Sequence, residues 1–203
     1  MKRAVIIGNG NVQDYNYLKN KICDTDFIIC ADGGYNHAVK MGIEPDVLIG
    51  DFDSAINYET VADRIEYPKR KDFTDGELAV MYAKERGFDN IVLTAMTGDR
   101  LDHTIADILL LAKCKNGMLI DDNNEIYLLR DEIEISGRKG QIISVIPISL
   151  DTEGVATSGL EYPLCDETLY FASSRGVSNV MIEDKCKISI KKGMALVIKV
   201  EKI

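Results

Sequence analysis

Over roughly the first 120 positions the apolar residues fall into short uninterrupted runs, and between the runs they recur at helical spacing. Arg3–Ile7, Phe27–Ala31, 47–49, 91–95 and 118–120 read as buried strands. Tyr15, Leu18 and Ile22 mark a first helix. Tyr35, Ala38 and Val39 mark a second, with Gly42 as its stop and Pro45 beyond. A weaker helical pattern covers 56–64. Thr74 and Glu77 form a capping box opening a helix with Leu78, Met81 and Tyr82 on one face, and Gly87 marks its end. Ile105, Ile108, Leu109 and Ala112 mark a further helix. From about Glu125 the spacing changes to alternation, clearest at 132–135 and 187–191, with a Lys192-Gly193 turn leading into 194–200. The pattern predicts an α/β N-terminal domain, a Rossmann-like parallel sheet with flanking helices, followed by an all-β sandwich or barrel. The boundary is expected near 122–126, giving domains 1–123 and 124–203. No internal repeat or low-complexity segment interrupts either part.

In a parallel sheet built with right-handed crossovers, ligands bind beyond the carboxyl ends of the strands. Four Gly- and Asp-rich clusters, at 8–10, 32–34, 50–54 and 98–103, each follow an apolar run. They are expected to collect at one edge. Among them Gly50-Asp51-Phe52-Asp53-Ser54 stands out. Asp51 and Asp53 are two positions apart and share a face if the chain is extended. Such a pair repels unless a cation intervenes, and hard oxygen ligands at a strand end suit Mg2+ carrying a phosphate chain. Alone, the pentapeptide reads equally well as a solvated turn. Gly8, Gly10, Gly33 and Gly34 remove side chains where backbone N–H groups can approach phosphates, or serve as plain turns. Asp75 lies in a first helical turn. Lys69, Arg70 and Lys71 precede it as a triphosphate clamp or a solvated loop, and Arg100 and Asp102 flank the last cluster. His103 reads as structural and His37 receives no role. Neither a G-x-G-x-x-G nor a Walker loop is present, which disfavours dinucleotide and P-loop chemistry.

Composition narrows the class. The 203 residues are 46% hydrophobic with a formal net charge of −9, which argues against nucleic-acid and anionic-membrane surfaces. Five cysteines without a C-x-x-C pair predict reduced thiols and a cytoplasmic location. The run 4–7 is too short for a signal peptide, and the apolar stretch 105–112 is interrupted by Asp107 and cannot span a bilayer.

Taken in order, Asp32-Gly33-Gly34, the pentapeptide 50–54, Lys71-Asp72-Phe73-Thr74-Asp75 and Arg100-Leu101-Asp102-His103 resemble the successive motifs of the thiamine pyrophosphokinase family. So do Gly159-Leu160-Glu161-Tyr162-Pro163-Leu164 and Ser174-Arg175-Gly176-Val177-Ser178-Asn179. The ordered set spans nearly the whole chain. The resemblance implies an N-terminal domain for ATP and Mg2+, a C-terminal domain for thiamine and dimerisation, and a homodimer with shared active sites. It implies catalytic roles for Asp51, Asp53, Asp75, Asp102, Lys71 and Arg100, with Asp51, Asp53 and Asp75 serving the metal. Asp32, Gly33, Gly34, Asp72 and Thr74 fall on the ATP side, and Tyr162, Ser178 and Asn179 on the thiamine side. The implied reaction gives thiamine diphosphate and AMP. One departure is Asp99, where the family has a second glycine before the arginine. Another Mg2+-dependent nucleotidyltransferase or phosphohydrolase, which leaves the Tyr162 and Ser178 motifs unexplained, and a non-enzymatic sensor are the competing readings.

Overall fold

The structure is a computed structural model and describes residues 2–58, 61 and 63–201. The chain divides into two compact units, Met1–Asp122 and Asn123–Ile203.

The first unit is built on parallel strands β1 (Arg3–Ile7), β2 (Phe27–Ala31), β3 (Val47–Gly50), β4 (Arg64–Glu66), β5 (Asn90–Thr94) and β6 (Asn116–Ile120), in the order β6-β5-β1-β2-β3-β4. The inner strands are continuous apolar runs because both faces are covered. Val5, Ile7, Cys30 and Leu48 pack with Leu18 of helix α1 (Tyr15–Asn20) and with Tyr35, Ala38 and Met41 of helix α2 (Gly34–Met41). Alternate residues Ala4, Ile6, Ile29 and Ile49 are fully buried as well. Helix α3 (Asp75–Glu85) packs against β1, β2 and β3. Helix α4 (Leu101–Leu109) runs into a 3-10 turn at 110–113.

Three local expectations need correction. Val39 is 56% exposed, and the buried face of α2 is Tyr35, His37, Ala38 and Met41. In α3 the buried set is Leu78, Ala79, Val80 and Ala83, with Met81 and Tyr82 only partly covered. The helix expected over 56–64 lies partly outside the described residues, since 59, 60 and 62 are not among them. Arg64 opens a strand instead, the short edge strand β4. The spacing on α4 is helical as expected, but none of its residues is fully buried. Leu101, Ile105 and Leu109 are 67%, 51% and 47% exposed.

The second unit contains β7 (Asn124–Leu129), β8 (Glu132–Ser136), β9 (Ile142–Pro147), β10 (Asp151–Ser158), β11 (Glu167–Tyr170), β12 (Asn179–Val180), β13 (Lys185–Ser189) and β14 (Ala195–Val200). Within this unit they form two antiparallel rows, β12-β9-β14-β7 and β11-β10-β13-β8. Residues of both rows, among them Leu129, Ile143 and Val197 from one and Val155, Leu169 and Ile188 from the other, share one core. The alternation at 132–135 and 185–189 sorts the faces. Glu132 and Glu134 pair with Lys187 and Lys185 on the outside, while Ile135, Cys186 and Ile188 enter the core. On β14 and β7, buried Lys199 sits between Glu125 at 2.7 Å and Glu201 at 2.8 Å. Each carboxylate has a second donor, Tyr127 Oη for Glu125 and Gln141 Nε2 for Glu201. Their bonds offset the desolvation of three charges.

Candidate active site

All strands of the first unit run the same way, so the loops after β1, β2, β3 and β5 gather at one edge. They line a cleft of about 580 Å³, together with the first turn of α3 and one side of α4. The turns leaving the strands are tight. Asp32, Phe52 and Ala95 hold positive φ values of 45°, 60° and 52°, which are uncommon without glycine. Gly50 has φ 153°, and a Cβ there would crowd Asp32 and Asp75 on either side.

The carboxylates of Asp32, Asp51 and Asp53 each offer an oxygen within 4.8 Å of the other two. They meet because β2 pairs with β3, which sets the residue after β2 beside the loop after β3. Lys69 Nζ reaches Asp53 at 2.5 Å, and Lys71 Nζ reaches Asp75 at 2.5 Å. Lys69 holds the Asp53 carboxyl below its usual range, with help from the Ser54 hydroxyl. Asp75 moves the other way. Burial raises its pKa, Asp32 and Asp51 add to the rise, and Lys71 opposes it. Thr74 caps α3 by accepting from the Glu77 N–H at 3.1 Å, half of the expected capping box; Glu77 itself pairs with Lys113.

The remaining candidates separate. Gly33 and Gly34 do not line the cleft. A Cβ at Gly34 would run into the Ile7 carbonyl and one at Gly33 into Asn9, so both let α2 start close against the end of β1. Gly8 and Gly10 do line it. Arg100 lines the cleft but grips Asp102 through two bonds of 3.0 and 2.7 Å, and Asp102 is exposed. Arg100 holds the Asp102 carboxyl well below the usual range. Asp72 is exposed and outside the lining. Asp99 accepts from Asn11 Nδ2 at 3.0 Å, which ties the loop after β5 to the loop after β1.

In the second unit Tyr162 is 63% exposed, so its ring is not core packing. Asn179 is buried and grips the Tyr162 backbone, accepting from its N–H at 3.0 Å and donating to its carbonyl at 2.7 Å. Ser178 has φ 61°, and its N–H donates to buried Ser144 Oγ at 3.0 Å.

Comparison with known proteins matches these two units to two domains. The thiamin pyrophosphokinase catalytic domain matches residues 18–126, and the thiamin pyrophosphokinase vitamin B1 binding domain matches residues 130–195. The chain belongs to the thiamin pyrophosphokinase family. The thiamine pyrophosphokinase of Bacillus subtilis is 33% identical over 186 residues, 84% of this chain and 86% of that one. Thiamine pyrophosphokinase 1 of Arabidopsis thaliana is 26% identical, over 86% of this chain and 78% of its own. The crystal structure of the Bacillus subtilis thiamine pyrophosphokinase superposes with a TM-score of 0.89 at 28% identity, covering all of both chains. Yeast thiamin pyrophosphokinase, at 17% identity and a TM-score of 0.78 over 98% of this chain and 86% of its own, shares the fold.

Two site residues escape the family motifs. His37, on α2, accepts from Tyr15 Oη at Nδ1 and donates from Nε2 to the Gly10 carbonyl, both at 2.9 Å. A carbonyl only accepts, which places the proton on Nε2. Burial lowers the His37 pKa and keeps the ring neutral. His37 thereby fixes the loop after β1. The apolar run before Gly10 contains no signal for it. Asp107, on the cleft side of α4, is the second. It appeared in the sequence only as an interruption of an apolar stretch. No donor among the described residues bonds its carboxylate, and burial pushes its pKa up to about 6, against the opposing charge of His103 one turn earlier.

That shift has a sign. An unfolded Asp titrates near ~3.9. Below that value the carboxyl is protonated in both states and carries no penalty. Above the folded pKa of about 6 it is ionised in both, and the full penalty applies. Asp107→Asn is therefore expected to stabilise the protein at pH 7.5 by roughly 1–3 kcal/mol, with the gain vanishing toward pH 4. Urea unfolding of both proteins across that range checks it. An advantage independent of pH would mean that the carboxylate is not strained by its surroundings.

Proposed function

We infer that the chain performs its family's reaction, moving the pyrophosphoryl group of ATP onto the hydroxyethyl oxygen of thiamine to give thiamine diphosphate and AMP. The observation that carries this reading is the close group Asp32, Asp51 and Asp53 at the cleft, flanked by Lys69 and Lys71. The acceptor hydroxyl gives its proton to a carboxylate of the acidic group as its oxygen attacks the β-phosphorus, the bond from that phosphorus to the bridging oxygen of the α-phosphate breaks, and AMP departs with the bridging oxygen. Such chemistry asks chiefly for positioning and for neutralisation of charge. An all-oxygen donor set of this spacing fits a hard divalent cation, and Asp32, Asp51 and Asp53 would hold it, with Asp75 alongside. Bound there, Mg2+ supplies positive charge to the phosphate oxygens. Lys69 and Lys71 exchange carboxylate for phosphate. Gly8 and Gly10 donate their backbone N–H groups to Thr94 O and Ala95 O and admit the loop after β5 at close range, so they shape the cleft and supply no donors to the nucleotide. The first unit is read as a Rossmann-like nucleotide domain, because the strand order reverses at β1, between β2 and β5, where the cleft lies.

The second unit is read as the thiamine domain. Thiamine carries a permanent charge on a flat ring, and the exposed face of Tyr162 suits it. Ser178 lies on the same reading beside the pyrimidine, while Asn179 holds Tyr162 in place. A homodimer with shared active sites is supported by exposed apolar residues in each unit: Leu101, Ile105 and Leu109 on α4, and Tyr170, Phe171 and Ile182 in the second. The five free cysteines support a reducing, cytoplasmic setting. No helix among the described residues is long and apolar enough to cross a membrane.

Incubation with ATP, Mg2+ and thiamine is expected to give AMP and thiamine diphosphate in equal amounts, and Asp53→Asn to lower turnover at least a hundredfold with the fold intact. ADP, or phosphate released without thiamine, would overturn the reading. Tyr162→Ala is expected to raise the KM for thiamine by about tenfold and leave that for ATP nearly unchanged. Equal loss for both substrates with a lower Tm would place Tyr162 in a structural role. Sedimentation at micromolar concentration is expected to show a dimer, and a fully active monomer would refute the assembly.

A further inference from the structure

We propose that Asp107 accepts hydrogen bonds from the ribose hydroxyls of the donor nucleotide, and so is a binding residue outside the acidic group and its lysines. The proposal rests on the ATP reading of the cleft and names the part of the ligand that the other residues leave unread. Asp107 lines the cleft from α4. Its Oδ1 lies 3.3 Å from the point a Cβ at Gly76 would occupy, so it faces the first turn of α3. Met96 Cε and Leu110 Cδ1 lie 3.1 and 3.7 Å from the same point, which makes this wall apolar around one carboxylate.

The other acidic groups lining the cleft are accounted for. Asp53 and Asp75 each have a lysine, Asp32 belongs with Asp51 to the close group, and Asp99 has Asn11. Asp107 belongs to no such group, and no donor among the described residues bonds it. His103, one turn earlier on α4, opposes the charge of Asp107 without a hydrogen bond to it, and a carboxylate so placed repels phosphate. It needs donors, and burying it without them is unfavourable. A nucleoside triphosphate offers two kinds, the vicinal hydroxyls of the sugar and the amino group of the base. The two hydroxyls sit on adjacent carbons and match the two oxygens of one carboxylate. The amino group presents both its hydrogens from a single atom. Met96, which lines the cleft beside Asp107, suits the C–H face of a sugar.

Calorimetry on the wild-type protein and Asp107→Ala separates these possibilities, with ATP, 2′,3′-dideoxy-ATP and the triphosphate of purine riboside, which lacks the amino group. Wild-type protein is expected to bind the dideoxy nucleotide roughly 10- to 100-fold more weakly than ATP. Asp107→Ala is expected to lose a similar factor for ATP and nothing further for the dideoxy nucleotide. Asp107→Asn keeps the side-chain shape and one acceptor, is expected to give a smaller loss, and serves if the alanine variant does not fold. Unchanged ATP affinity in the variants overturns the proposal. So does a dideoxy penalty that persists in them, or a wild-type penalty that follows the amino group and disappears on substitution. Wild-type protein that binds no ATP would instead overturn the functional reading on which the proposal rests.

Discussion

Like charges brought within 4.8 Å of one another repel, and the loops of the first unit are arranged around Asp32, Asp51 and Asp53 at that spacing. None of the three is deeply buried, so water screens part of the repulsion. The lysines do more. Lys69 stands on Asp53, and Lys71 stands on Asp75 next to the group. Without a metal the edge is thus partly neutralised from within its own chain. On the proposed reading the same cations become available to phosphate once a divalent ion takes over the carboxylates. Their two sites differ, since Lys69 is largely exposed whereas the Lys71 side chain is only 13% exposed. Lys69 is held at the surface by Asp53. Lys71 is held where α3 begins.

The backbone makes room for this crowding. Asp32 and Ala95, directly after β2 and β5, and Phe52, two residues after β3, adopt left-handed conformations, each unfavourable by about 1 kcal/mol or more outside glycine. The surrounding contacts hold them there. Asp32 N–H donates to Ile49 O at 2.8 Å, and the Ala95 carbonyl accepts from Gly10 N–H at 2.6 Å. His37 reaches the other side of Gly10 through its carbonyl. The loop after β1 is therefore fixed by β5 and α2 together. A cleft of this kind is preorganised because its strained turns are braced by strands that are themselves fully buried.

What was legible in the sequence follows the same physics. Strands covered on both faces have to be apolar throughout, so β1, β2 and β5 announce themselves. Thr74 and Gly42 mark helix ends through local chemistry, a side-chain acceptor and a left-handed φ of 65°, which need no tertiary context. The faces of α2 and α3 were harder, since a short helix with many apolar positions fits several orientations, and only the sheet beneath decides between Val39 and Met41. Edge strand β4 has the pattern Arg64-Ile65-Glu66 and pairs on one side, so it has little apolar content to betray it. Asp51 and Asp53 were visible as a local pair. That Asp32 joins them depends on β2 lying beside β3, a fact of strand order that spacing does not encode. Asp107 was hidden for the opposite reason. It interrupts an apolar stretch in which Leu101, Ile105 and Leu109 are themselves exposed, so the spacing does not say which side of α4 faces the cleft.

The second unit solves its positioning problem without charge. Tyr162 and Ser178 are exposed, and an exposed side chain on a loop is ordinarily mobile. Here the polar groups that brace them are buried and turned onto the backbone. Asn179 uses its carbonyl and its amide on Tyr162, and Ser144 uses its hydroxyl on Ser178. A β-strand residue cannot be moved without disturbing its ladder, and Asn179 and Ser144 belong to β12 and β9, which pair with each other. The rigidity of that ladder is thereby passed to two loops, while their side chains stay free to meet a ligand. Asn179, placed by the family motif on the ligand side, has both ends of its amide engaged in this bracing. These bonds fix the backbone that carries Tyr162, so on the proposed reading a flat cationic ligand meets a ring whose anchor is already ordered.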